Sequence, residues 1–88
     1  MMKLLMSCLL GGALLLAQVS DNLIYDQVRL KLSADRDVRG GVIEVKVDKG
    51  VVELSGTVKS DKARNRAEKV AKKVKGVEKV VNKLKVVE

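Results

Sequence analysis

Apolar residues along this chain recur with two different periods, and the switches between them mark its elements. Ile24, Val28 and Leu32 return every fourth residue, so they form one stripe of a helix, with Tyr25 on its edge. Ser20, Asp21 and Asn22 stand before that stripe as capping residues, and acid suits this end of the helix dipole. The helix is expected to stop between Ser33 and Asp35, ahead of the charged, glycine-ended stretch Asp35-Arg36-Asp37-Val38-Arg39-Gly40-Gly41. Ile43, Val45 and Val47 then alternate with Glu44, Lys46 and Asp48, the period of a strand with one wet face. Asp48-Lys49-Gly50 makes a turn, with Gly50 free to take the left-handed backbone of a tight hairpin. In the next strand Val52, Leu54 and Val58 share a face with Gly56, while Val51, Glu53, Ser55 and Thr57 share the other. Gly56 is expected to admit a close helix or to form a bulge.

Ser60 caps a second helix, whose apolar positions are Ala63, Ala67, Val70, Ala71 and Val74. Such small side chains imply close packing on the sheet. Gly76 is expected just past the helix end, after Lys72, Lys73 and Lys75, whose charge suits the last turn. Val80, Asn82, Leu84 and Val86 then share one face of a third strand. A strand-helix-strand unit within one sheet is right-handed and parallel, so the third strand is placed beside the second. The expected fold class is α+β: a two-layer α-β-β-α-β domain with a three-stranded mixed sheet and both helices on one face. The other sheet face, carrying Glu44, Lys46, Glu53, Ser55, Thr57, Lys83 and Lys85, is left to water. The glycine turn at Gly50 leads into a strand, whereas phosphate loops lead into a helix N-terminus.

Asp21-x-x-Ile24-x-x-x-Val28-x-x-x-Leu32, Ile43-x-Val45-x-Val47, Gly50-Val51-Val52-x-Leu54-x-Gly56-x-Val58, Ala67-x-x-Val70-Ala71 and Gly76-Val77-x-x-Val80-Val81-Asn82-x-Leu84-x-Val86 together resemble the BON domain, named for bacterial osmotic-stress and nodulation proteins. The resemblance spans Asp21 to Val86. It implies an envelope protein that binds phospholipid membrane or other envelope components and carries no catalytic residues.

Before the domain, Met1 to Lys3 is a short positive start, and Leu4 to Leu16 is an apolar run interrupted by Ser7, Cys8 and Gly11-Gly12. Residues 1–17 read as a secretory signal peptide, with cleavage after Ala17 or after Ser20, and residues 18–88 as a single BON-like domain. That assignment puts the mature chain in the periplasm or outside the cell. A spanning helix needs about 20 apolar residues, which counts against an uncleaved anchor. Leu5-Met6-Ser7-Cys8 loosely resembles a bacterial lipobox, but lipidation at Cys8 would leave Leu9 to Leu16 on the mature protein. A lipid-anchored form is the weaker alternative.

Composition narrows the chemistry. The 88 residues contain no His, no Trp and one Cys. No imidazole base, paired thiol nucleophile or Cys/His ligand set can be assembled, so neither an enzyme nor a metal or other cofactor is expected. The charge is polarised: residues 21–58 hold six Lys/Arg against seven Asp/Glu, and residues 59–88 hold eleven against four. Lys62, Arg66, Lys69 and Lys73 make a basic strip about 17 Å long on the second helix, away from its alanines, with Lys72 nearby. A charge run is ordinarily a solvated face. The functional alternative is attraction to an anionic phospholipid surface, about 1 kcal/mol per basic residue. Leu23 and Leu30 form a second apolar strip on the first helix, expected to pack against the second helix or else to meet lipid or protein. The remaining function class is an envelope protein partner bound through a sheet edge or the first helix. Nucleic acid fits poorly, because only Tyr25 could stack on a base.

Overall fold

The computed structural model describes residues 19–87. The apolar run with Cys8, and hence the signal-peptide and lipobox assignments, lies outside the described residues. The elements are α1 (Asp21–Ala34), β1 (Val42–Asp48), β2 (Val51–Val58), α2 (Asp61–Lys72) and β3 (Lys79–Val86). The sheet order is β1-β2-β3, with β1 antiparallel and β3 parallel to the central β2. This is the expected α+β architecture.

Both helices start as their sequences require. Ser20 Oγ accepts from Leu23 N at 3.2 Å, and Ser60 Oγ accepts from Ala63 N at 3.0 Å. From α1, Ile24, Val28 and Leu32 are buried, and they meet Val52, Leu54 and Val58 of β2 and the alanines Ala63, Ala67 and Ala71 of α2 in one core. Among the described residues, no polar or charged residue is buried.

The hairpin turn has two residues, Lys49 at φ 50° and Gly50 at φ 82°. Positive φ at both is the type I′ geometry whose twist matches the strands it joins. Asp21 clamps this turn: its carboxylate accepts from Lys49 N at 2.8 Å and from Gly50 N at 3.1 Å. The Gly50 carbonyl accepts from Glu78 N at 2.8 Å, so a single turn links α1 to the approach to β3.

Two glycines act differently from expectation. Gly56 pairs with Ile43 in an unbroken register, without a bulge, and no helix lies against it. At φ 112° an added Cβ would stand 2.0 Å from the Val42 carbonyl oxygen, so the missing side chain admits the neighbouring strand rather than α2. Gly76 is not the residue just past the helix, because α2 already ends at Lys72 with Lys73 as its cap. The chain continues through turn bonds from Val74 N to Ala71 O and from Val77 N to Val74 O, which carry Val74 into the core without α-helix. Gly76 then sits against Val19 and Ile24, where a Cβ would lie 2.6 Å from the Val19 side chain.

Candidate functional site

Helix positions advance by about 100° per residue, so the core stripe fixes where every other side chain of α1 points. On one flank Arg29 and Ser33 line a cavity with Ile43 and Val45 at the β1 side of the molecule. Leu23 and Leu30 point away from the core, about 140° and 160° from the middle of the Ile24–Val28–Leu32 stripe, and Leu30 borders Arg29 and Ser33 there. The two leucines are 51% and 62% exposed. The expected packing of both leucines against α2 therefore does not occur. The Ile24–Val28–Leu32 stripe is turned down onto the core, which lifts Leu23 and Leu30 toward the outer side of the helix layer.

The orientation of α2 follows from its partners. Arg64 and Glu68 turn toward β3: the Asn82 amide donates to Arg64 O at 2.9 Å and to Glu68 Oε1 at 3.3 Å, and Arg64 Nε donates to Leu84 O at 3.1 Å. Lys62, Arg66, Lys69 and Lys73 consequently point outward on the flank facing α1. The two helices run antiparallel. Arg66 and Lys62 at the start of α2 reach Asp35 and Asp37 beyond the end of α1, while Gly76 beyond α2 touches Val19 and Ile24 at its start. Leu30 thus stands level with Arg66 and Lys69, whereas Leu23 is level with Gly76, past the end of α2. The outer surface of the helix layer is one band, apolar along α1 and basic along α2.

Acidic residues trim this band. Arg66 Nε lies 2.8 Å from Asp35 Oδ2, and Lys62 Nζ lies 3.5 Å from Asp37 Oδ1. Lys72 sits apart from the strip, paired with Glu68 at 3.1 Å. Among the described residues, Lys69 and Lys73 have no ion-pair partner. The Arg66 guanidinium, followed by the N–H groups of Asp37 and Val38, holds the Asp35 carboxyl below its ordinary pKa. Hydrogen bonds from Lys72 and then Asn82 do the same for Glu68. Asp35 and Asp37 escape a sequence reading of the strip because their partners lie on another element. The one local signal is the Asx turn, in which Asp35 Oδ1 accepts from Asp37 N at 2.9 Å.

Among the described residues there is no His/Cys/Asp/Glu group that could hold a metal ion, and no helix long and apolar enough to cross a membrane. Fold and surface together define a small α+β domain whose distinctive feature is a surface band rather than an enclosed pocket. The family model described as BON domain matches residues 20–88, and the chain belongs to that family. It is also similar to the osmotically-inducible protein Y of Escherichia coli (strain K12), with 43% identity over 65 residues. The aligned region covers 74% of this chain and 32% of that protein, so the chain spans about a third of the length of the curated relative it matches.

Proposed function

We propose that this chain is a non-catalytic module of the cell envelope, exported through its N-terminal segment, that associates peripherally with anionic phospholipid through the outer band of its helix layer. What carries this reading is that the exposed Leu23 and Leu30 of α1 share the outer side of the helix layer with Lys69 and Lys73, which have no ion-pair partner among the described residues. Each free lysine near an anionic surface contributes about 1 kcal/mol. Covering the open half of each leucine adds about 1 kcal/mol apiece. A total of about 4 kcal/mol corresponds to a dissociation constant of about 1 mM, which is a reversible association that salt loosens. The name of the similar Escherichia coli protein supports a role in the response to osmotic stress.

Co-sedimentation with anionic and with zwitterionic vesicles, at low and high salt, tests the reading. Binding is expected to the anionic vesicles alone, and to fall when Lys69 and Lys73 are changed to Ala or Leu23 and Leu30 to Ser. Equal binding by those variants would remove this surface from the account and favour an envelope protein as partner. The mass of the mature N-terminus tests export, because it separates cleavage from retention and from lipidation at Cys8.

A further inference from the structure

The sheet has two outer edges, and the chain treats them differently. At β3 the Leu84 N–H donates to Asn82 Oδ1 at 3.1 Å, and the Leu84 carbonyl accepts from Arg64 Nε at 3.1 Å. Side chains thus occupy the outer N–H and C=O of Leu84, which interrupts that edge as a template for pairing. Among the described residues, β1 has no such cover.

The hairpin turn fixes which backbone groups of β1 are free. In a hairpin with a two-residue loop the flanking pair, here Asp48 and Val51, is hydrogen-bonded, and bonded and unbonded pairs alternate from there. Val42, Glu44, Lys46 and Asp48 therefore bond to β2, and the Val42 carbonyl does point at β2 beside Gly56. The N–H and C=O groups of Ile43, Val45 and Val47 face outward. Inward of this edge, between α1 and β1, lies a cavity of about 240 Å³ with Leu32, Val38, Ile43 and Val45 in its lining and Arg29 and Arg39 beside them. Arg29 is held by a hydroxyl: its Nη1 donates to Tyr25 Oη at 3.0 Å, with the guanidinium 5.6 Å from the ring centre. Among the described residues neither arginine has a carboxylate partner.

An unpaired strand edge calls for an extended chain, and an apolar cavity with two unpaired cations calls for an anion that carries an apolar group. The free C-terminus of a polypeptide supplies all three. We propose that the groove between α1 and the outer edge of β1 binds the C-terminal end of an extended peptide from another protein. The peptide adds as a strand antiparallel to β1, which brings its last residue to the Val42 end, where the loop bearing Val38 and Arg39 closes the groove. Its final, apolar side chain sits over Leu32, Val38 and Ile43, and its carboxylate meets Arg39 and Arg29. A fatty acid would satisfy the cavity and the arginines but leave the edge unpaired. Leu30 borders Arg29 and Ser33 on the outer side of α1, but neither Leu30 nor Leu23 lines this groove, so the site does not depend on the membrane reading.

The test is an NMR titration of the isotope-labelled full chain with a pool of hexapeptides varied over apolar residues at the last position, their carboxyl termini free or amidated, and separately with decanoate. The free-carboxylate pool is expected to shift the amides of Ile43, Val45, Val47 and Gly40. Amidation, or Arg39→Ala combined with Arg29→Ala, is expected to weaken binding at least tenfold. Val45→Pro removes an N–H that faces away from β2, so the sheet persists while strand addition is lost; far-ultraviolet circular dichroism verifies that this variant folds. Equal binding of both pools, no shift at millimolar peptide, retained binding by folded Val45→Pro, or decanoate shifting these amides where peptides do not would each overturn the proposal.

Discussion

At the residue scale, the positions that hold the fold in register are those that reach across the chain. Asp21 is legible in the sequence as an acid at a helix start, but its carboxylate serves the hairpin turn 28 residues away. Asp21→Ala leaves the Lys49 and Gly50 N–H groups without that acceptor and is expected to cost about 1–3 kcal/mol in denaturant unfolding. Asp21→Asn, which keeps one acceptor, should lose less. Gly56→Ala is expected to cost at least about 1–3 kcal/mol from backbone strain alone, because the new Cβ meets a carbonyl of the adjacent strand rather than a movable side chain. Had Gly56 faced a helix, as periodicity suggests, a small adjustment of α2 would have absorbed the methyl. The periodic argument fails here because alternation counts positions, whereas a φ of 112° redirects the Cα–Cβ bond.

The lowered carboxyl groups make a related prediction about acid. Asp35 and Glu68 both titrate below their ordinary range in the folded protein, so the unfolded chain takes up protons first as the pH falls. Their contribution is complete at neutral pH and is lost as the pH drops below about 4. Thermal unfolding of Asp35→Asn is therefore expected to show a lower midpoint at pH 7 and a smaller further loss on acidification than the native chain.

At the scale of elements, order, type and direction could all be read from the sequence. Capping serines, a change of period and a two-residue glycine turn are local signals, and these elements obey them. The end of α2 is an exception: Val74 stays in phase with the apolar stripe, yet the backbone leaves the α-helix at Lys72. The relation between the helices was not legible, because the depth to which α1 settles on the sheet decides whether Leu23 and Leu30 are covered. Their exposure yields a prediction that separates surface from core. Leu23→Ser with Leu30→Ser is expected to change stability by no more than about 0.5 kcal/mol per site, as for surface positions. Leu54→Ala, fully buried on β2, should cost about 2–5 kcal/mol. A large loss from the surface pair would mean that these leucines are packed.

At the scale of the whole molecule, the sequence places its positive charge in the C-terminal half, but the fold redistributes it. Asp35 and Asp37, counted with the N-terminal half, come to rest on Arg66 and Lys62 and, among the described residues, leave two lysines of the basic strip unpaired. On the wet sheet face Lys83 is likewise paired, with Glu53 at 3.1 Å. Net charge alone therefore does not orient the domain on a surface. The helix layer combines exposed leucines on α1 with lysines on α2 that have no ion-pair partner among the described residues, and the membrane reading rests on that combination. It is tested most directly by paramagnetic broadening of backbone amides when the protein is titrated with anionic vesicles whose headgroups carry a spin label. Broadening concentrated at Leu23, Leu30, Lys69 and Lys73, with Glu44, Lys46, Lys83 and Lys85 spared, is the predicted result. Broadening centred on the sheet face, or none at vesicle concentrations that saturate a basic control peptide, would contradict it.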